Sequence, residues 1–287
     1  MFCGFFILNC VGLVDNCMLY FESENQDFLL FCGNSIKIMQ EMDEKSVNII
    51  FADPPYFLSN DGLTFKNGII QSVNKGEWDK YDNEKEIYDF NDEWIKQARR
   101  LLKDNGTIWI SGTHHNIFSI GQVLKENNFK ILNMITWEKP NPPPNFSCRY
   151  FTYSTEWIIW ARKNAKIPHY FNYDLMKKLN GNKQQKDVWR LPAVSSWEKI
   201  QGKHPTQKPL GLLARIILSS TQKENLILDP FSGSGTTGIA SVLLDRHYIG
   251  IEQNSEFLEL SKRRYQAITP ISKNEFKQKI REQISVI

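Results

Sequence analysis

The chain has 287 residues, 41% of them hydrophobic and 23% charged, the balance of a folded globular protein. That excludes a mostly disordered chain, a collagen and a disulfide-stapled miniprotein. Lys and Arg total 35 against 32 Asp and Glu, a net charge of +3, which as a whole-chain sum argues against a histone-like nucleic-acid binder.

Residues 1–14 are strongly apolar, and the first basic residue of the chain is Lys37. A signal peptide needs a positive segment ahead of its apolar run, and a membrane span needs about 20 apolar residues. Residues 1–26 are therefore expected to be an N-terminal extension, with Met18 as an alternative start of translation. The five cysteines, Cys3, Cys10, Cys17, Cys32 and Cys148, form no C-x-x-C pair. They fit a reducing cytoplasm without metal, and Cys32, in an apolar run, is expected to be a small buried hydrophobe.

Residues 27–33 predict a short buried strand ended by Gly33, followed by a helix capped near Ser35. Residues 47–52, Val-Asn-Ile-Ile-Phe-Ala, predict an apolar strand running into Asp53-Pro54-Pro55-Tyr56. Residues 59–82, rich in Gly, Asn, Lys and Ser, predict a long loop, a kind of segment that often carries function. An amphipathic helix over 86–102 is closed by Lys103-Asp104-Asn105-Gly106. A strand over 107–111, a helix over 118–127 and a strand over 130–137 follow. The alternation predicts an α/β fold with a mostly parallel sheet.

The pattern changes at Lys139-Pro-Asn-Pro-Pro-Pro-Asn145, which can continue neither a helix nor a central strand. The stretch to about Lys203 is irregular, aromatic and basic, although the run Trp157-Ile-Ile-Trp160-Ala161 predicts a core strand. Regular structure returns with a helix over 210–220 and a strand over 225–228. A Gly-rich turn, a helix over 237–244, a strand over 248–251 and a helix over 255–267 complete the chain.

Two motifs carry chemistry. In Asp229-Pro-Phe231-Ser232-Gly233-Ser234-Gly235-Thr236, the glycines allow a tight turn and close approach of a ligand. The helix behind it offers unpaired N–H groups. It lacks the Gly-Lys-Ser/Thr of a phosphate loop and the spacing of a full G-x-G-x-x-G. Glu252, about 20 residues on, ends the next strand, where an acid can accept hydrogen bonds from a ribose. Alone, such a turn is often only a tight connection. The second motif, Asp53-Pro54-Pro55-Tyr56, leaves a buried strand at the end where open α/β sheets bind ligands. Its prolines hold the Asp53 and Pro54 carbonyls stiffly beside the Asp53 carboxylate. The result is an acceptor-rich site for an NH₂ group, with Tyr56 as a flat face for a planar ring. The alternative is a rigid strand exit with an ordinary aspartate.

Together the two motifs resemble those of amino-group DNA methyltransferases that use S-adenosylmethionine. Their order, catalytic motif first and donor motif last, is similar to the circularly permuted beta class. His204-Pro-Thr-Gln-Lys-Pro209 also matches that class. The resemblance spans roughly residues 27–266. It implies a permuted Rossmann-like methyltransferase fold with catalytic residues Asp53, Pro54, Pro55 and Tyr56. The donor would be held by Asn34, Asp53, Thr206, Lys208, Asp229, Phe231, Ser232, Gly233, Ser234, Gly235, Thr236 and Glu252. Thr206 and Lys208 would reach the donor's carboxylate, the alternatives being a turn threonine and a solvated lysine. Asn34 departs from the Asp of many relatives, keeping a hydrogen bond without the charge.

Residues 141–156 and Asp187-Val-Trp189 resemble the Dpn/Mbo-type adenine methyltransferases, several of which modify GATC. The implied organisation is a catalytic half (27–138), a target-recognition insertion (139–203), a donor-binding half (204–270) and a C-terminal tail (271–287). Residues 139–216 carry 14 Lys and Arg against 4 Asp and Glu, a balance of +10 that leaves −7 on the rest. A basic aromatic insertion fits DNA contact through Arg149, Lys177, Lys178, Lys183, Lys186 and Arg190. The expected reaction is N6 methylation of an adenine turned out of double-stranded DNA, with the loop 59–82 closing over it. No cysteine lies in either motif, which argues against methylation at cytosine C5. Alternatives are cytosine-N4 methylation, RNA or protein-amide methylation, and a DNA-binding module without catalysis. The resemblance leaves open single-stranded DNA, a homodimer and a cognate restriction endonuclease as partners, and it implies no membrane.

Overall fold

The computed structural model describes residues 18–56, 63–66, 69–72, 84–145 and 147–285. The proposed start at Met18 concerns residues 1–17, which lie outside this set, as do Cys3, Cys10 and Cys17. The elements run β1 (Met18–Glu22), β2 (Phe28–Cys32), α1 (Ser35–Glu41), β3 (Val47–Ala52), β4 (Leu63–Lys66) and β5 (Ile69–Ser72). Next come α2 (Glu84–Leu101), β6 (Leu102–Gly112), α3 (Ile117–Glu126), β7 (Lys130–Glu138), β8 (Thr155–Arg162), α4 (Tyr173–Leu179) and β9 (Val188–Arg190). The chain ends with α5 (Leu210–Ser220), β10 (Leu226–Asp229), α6 (Thr236–Leu243), β11 (His247–Glu252), α7 (Ser255–Gln266) and α8 (Pro270–Ser285).

Nine strands form one sheet in the order β1-β2-β11-β10-β3-β6-β8-β7-β9. Its centre is parallel, from β2 through β11, β10 and β3 to β6. Pairings of β1 with β2, and of β8 with both β6 and β7, are antiparallel. The strands β3 and β10, far apart in sequence, are neighbours, with Ile227 opposite Ile49 and Leu228 opposite Ile50. Each leads into one of the two motifs, so both motifs emerge at the same sheet edge. That edge, at the C-terminal ends of the parallel strands, is where open α/β sheets bind ligands.

Alternation along the strands sends side chains into two cores. Ile49 and Phe51 join Leu212, Leu213, Ile239 and Leu243 on one face. Ile50 and Ala52 join Trp94, Ile95, Ile120 and Leu124 on the other. A strand covered on both faces needs a near-continuous apolar run, which is why β3 reads Val-Asn-Ile-Ile-Phe-Ala; Asn48, the exception, accepts from Leu226 N at 3.0 Å. Trp109 of β6 pairs across to Trp160 of β8, and their rings stack at 4.6 Å. Among the described residues no helix is long and apolar enough to cross a membrane.

Five expectations are corrected. Residues 103–106 do not cap α2; Leu102, fully buried, already pairs with Val47, and the register shifts before Ile49 meets Thr107. The segment expected as a loop over 59–82 contains the antiparallel pair β4–β5; its other residues lie outside the described set. Residues 139–203 are not irregular throughout, since β8 lies between β6 and β7 and β9 pairs with β7. The tail 271–287 is mostly the helix α8, whose Ile280 and Ile284 are buried against the core that contains α5. Cys32 is half-buried rather than fully enclosed.

Candidate active site

Asp53 leaves β3 at the sheet edge, and two donors converge on its carboxylate, Lys208 from far along the chain and Tyr56 from the same motif. Lys208, in the loop before α5, donates from Nζ to Asp53 Oδ2 at 2.5 Å. The Tyr56 hydroxyl donates to Asp53 Oδ1 at 2.6 Å. Lys208 Nζ also lies 3.1 Å from Tyr56 Oη, 5.3 Å from the centre of its ring and 3.7 Å from Glu156 Oε2. Ser111 Oγ of β6 stands 3.3 Å from the Tyr56 hydroxyl, and Lys139 pairs with Glu156 Oε1. The lysine side chain is only 7% exposed. Burial alone would drive its charge out, but Asp53, Tyr56 and Glu156 outweigh that and hold the ammonium well above the ordinary lysine range. Burial, then the Asp53 charge, pushes the Tyr56 phenol well up, so it stays a neutral donor.

Two residues with expected ligand roles are thus already engaged with each other. Lys208, expected on a donor carboxylate, sits on the Asp53 carboxylate, because β3 and the loop before α5 meet at the same edge. Tyr56, expected as a flat face for a planar ring, is 8% exposed, and Lys208 lies over that ring.

The loop carrying Lys208 is fixed by Glu198, which the sequence reading did not single out. Its buried carboxylate accepts from the backbone N–H of Ser195 at 3.1 Å and of Leu210 at 2.7 Å, capping α5. The Gln207 side chain adds a bond to the Glu198 carbonyl at 3.1 Å.

The Gly-rich turn after β10 is held from every side. Asp229 Oδ1 accepts from Phe231 N at 3.0 Å, and Oδ2 from the Thr237 hydroxyl at 2.6 Å. Arg264 of α7 donates to Ser234 O at 2.6 Å and Thr236 Oγ1 at 2.8 Å. Glu252 accepts Gly233 N at 2.9 Å through one oxygen, and the N–H groups of Gln253 and Asn254 through the other. Ser232 Oγ meets Tyr248 Oη at 2.8 Å. Gly235 has φ +70°, and a Cβ there would run into Ser261 Oγ. That glycine, expected to touch a donor, instead faces α7 and lets the turn lie flat on it. Phe231 packs edge-on to Trp94, its ring centre 5.5 Å away.

Between the motifs lies a cleft of about 820 Å³. Asn34, Asp53, Thr206, Lys208, Asp229, Phe231, Ser232, Gly233, Ser234, Thr236 and Glu252, all expected from sequence, line it. Asn34 also caps α1 by accepting from Lys37 N at 3.1 Å. The expectation missed the wall formed by α2, where Glu86, Asp89, Phe90 and Glu93 face the cleft. Their spacing on one helical face was visible, but it equally describes a solvated surface. The expectation also missed His204 as a lining residue. Burial lowers its ring to about 4, so it is neutral at pH 7.

The lining is thus rich in carboxylates, with Lys208 as the cation among them, and that cation is spent on Asp53. It suits a ligand that is itself positive. S-adenosylmethionine fits, since its sulfonium and α-ammonium outnumber its one carboxylate, and it adds ribose hydroxyls and a flat purine. Side-chain-free Gly233, where a Cβ would press His204 Nε2 at 3.1 Å, leaves room beside the turn. Among the described residues no cluster of His, Cys, Asp and Glu could hold a metal ion.

The six basic residues expected on DNA are all exposed. Arg190 ends β9 beside Glu138 at 3.9 Å, on the same sheet edge as Asp53. Arg149 lies in the loop joining β7 to β8, which also springs from that edge. Lys177 and Lys178 form the last turn of α4, whose cap Asn172 bonds to Ser219 at the far end of α5. Lys183 and Lys186 follow that helix, and the structure does not bring these four lysines to Asp53.

A sheet that joins an amino-acceptor motif to a donor cleft defines a class of enzyme, and the comparisons agree. A family model described as DNA methylase, of the N6 and N4 type, matches residues 47–263, and the chain belongs to that family. It is 81% identical over 268 residues to the type II methyltransferase M2.MboI of Moraxella bovis, covering 93% of this chain and 98% of that protein. It is 53% identical over 240 residues to the type II methyltransferase M2.DpnII of Streptococcus pneumoniae, covering 83% and 90%. The crystal structure of an M1.HpyAVI–SAM complex superposes with a TM-score of 0.62 at 30% identity, over 83% of this chain and 98% of that one.

Proposed function

We propose that this DNA methylase transfers a methyl group from S-adenosylmethionine to N6 of an adenine turned out of a duplex, in the sequence GATC. The observation that carries the reading is Asp53-Pro54-Pro55-Tyr56 at the end of β3, beside the Gly-rich turn of the adjacent β10. S-adenosylmethionine supplies a methyl group on a positively charged sulfur. Ser232, Gly233, Ser234 and Thr236 would hold its amino-acid end and Glu252 its ribose. The carboxylates of α2 and a neutral His204 keep the cleft hospitable to positive charge.

Asp53 Oδ and the Pro54 carbonyl each accept one N–H of the target amine. Two such bonds orient the nitrogen's lone pair away from the protein and towards the donor cleft. Positioning and electrostatic preorganisation by these fixed acceptors supply the catalysis. Asp rather than Ser at the head of the motif supports adenine over cytosine N4. The likeness of residues 141–156 and 187–189 to Dpn/Mbo-type enzymes supports GATC. Residues 139–203 act as the recognition part, with Arg149, Arg190 and the lysines between 177 and 186 on DNA. On this reading the enzyme works in the cytoplasm beside a restriction endonuclease for the same site, and a homodimer is the oligomer to test first.

With tritiated S-adenosylmethionine and duplexes differing only at GATC, label is expected in N6-methyladenine and only when GATC is present. Label in N4-methylcytosine overturns the base, and equal label without GATC overturns the site. Asp53→Ala should lower turnover by at least about 100-fold while donor binding, read by calorimetry, persists.

A further inference from the structure

Both oxygens of Asp53 already have donors: Tyr56 on Oδ1 and Lys208 on Oδ2. The same ammonium lies over the Tyr56 ring, at 5.3 Å from its centre. A target base needs those two features, an N–H acceptor on Asp53 and a face of Tyr56. One side chain therefore fills both halves of the place a base must take. We propose that Lys208 is a resident stand-in for the target base: its ammonium occupies the amino-acceptor site until a base enters, and then moves to Glu156. This rests on the proposed amino-group reaction and deepens it.

Three observations support the exchange. Asp53 has a side chain only 13% exposed, and a carboxylate so enclosed is costly to leave without a positive or donating partner. Lys208 meets that need before a base enters. Glu156 Oε2 is already 3.7 Å from Nζ, so the ammonium can change carboxylates by a small rotation of its stem and remain paired. Lys139 bridges the other Glu156 oxygen and keeps that acceptor in place.

The charge balance also requires the move. The target nitrogen becomes more positive as it forms its bond to carbon, and a second ammonium on the same Asp53 oxygen would oppose this. The exchange makes entry selective. An exocyclic amine replaces the bonds that Lys208 gives up, whereas a carbonyl at the same ring position sets an acceptor against a carboxylate.

The test reads base extrusion rather than turnover. The full chain, without donor, is mixed with a GATC duplex, and permanganate oxidation of the thymine opposite the target adenine reports how often that adenine leaves the helix. Lys208→Ala is expected to raise oxidation at least threefold over the wild type, because the slot is vacated. Glu156→Gln, nearly isosteric, is expected to lower it at least threefold, because Lys208 loses its second seat. Unchanged or reduced oxidation in Lys208→Ala overturns the inference, as does unchanged or raised oxidation in Glu156→Gln. Should Lys208→Ala not fold, the Glu156→Gln arm alone decides. A wild type that labels no adenine in GATC fails the functional reading instead, and that is measured separately on the same preparation.

Discussion

Asp229 and His204 face one cleft and titrate in opposite senses. Burial pushes the Asp229 carboxyl from 3.8 up to about 7, against the hydrogen bonds from Thr237 and Phe231 N that favour its charge. Between those values the folded protein holds a proton that the unfolded chain has lost, so Asp229 makes stability fall as pH rises towards 7. Burial lowers His204 from 6.5 to about 4, so there the unfolded chain holds the extra proton and stability rises with pH. The two slopes oppose each other over most of the acid range, each up to about 1.4 kcal/mol per pH unit. Asp229→Asn keeps an acceptor for Phe231 N and removes only the falling slope. Urea midpoints taken between about pH 4 and about pH 7 should climb more steeply in that variant than in the wild type. A parallel pair of curves would show that Asp229 is ionised throughout.

At the scale of elements, the Gly-rich turn is the part least able to change. Gly235→Ala combines a left-handed backbone at φ +70° with a Cβ that collides with Ser261 Oγ, and α7 would have to move. A loss of about 2–3 kcal/mol is expected in denaturant unfolding, with weaker donor binding. Gly181→Ala is the control: its φ is +58° but nothing lies within 4 Å, and about 1 kcal/mol should suffice. The same contrast explains what the sequence disclosed. The strand β3 and the helix α5 were legible because they are apolar at most positions and bounded by turn residues. The two motifs were legible because their chemistry is local. The helix α8 was not, since Ile280 and Ile284 are its only fully buried side chains among those described and its other positions are largely charged or polar. Nor was the Lys208–Asp53 contact, which joins residues 155 apart and exists only because the sheet order sets their elements side by side. Glu198 is half legible: Ser195-x-x-Glu198 is a capping-box pattern, but the bonds that tie its carboxylate to Leu210 N and to the Gln283 side chain depend on the fold.

At the scale of the whole molecule, the net charge of +3 conceals a division that the fold makes spatial. β6 runs parallel to β3, β8 reverses, and β7 and β9 run with β3 again, so Glu138, Lys139 and Arg190 finish at the edge where Asp53 sits. On the proposed reading, a duplex whose adenine reaches Asp53 lies along that edge, where β9 ends in Arg190 and the β7–β8 loop carries Arg149. The lysines of and after α4 are spread along the chain between β8 and β9, away from Asp53, and suit backbone phosphates. The two groups should separate in titrations of binding against salt. Replacing Lys177, Lys178, Lys183 and Lys186 by Ala should lower the slope of log K against log salt by roughly 0.9 for each phosphate left unneutralised, while preference for GATC over scrambled duplex stays the same. Arg190→Ala or Arg149→Ala should change the slope by about one at most, yet reduce that preference roughly tenfold or more, the worth of a good bidentate base contact. Anisotropy titrations of both duplexes over a range of salt read the two quantities together. Arginine variants that lose affinity equally for both duplexes would assign base reading to other residues of the β7–β8 loop and the segment before α5.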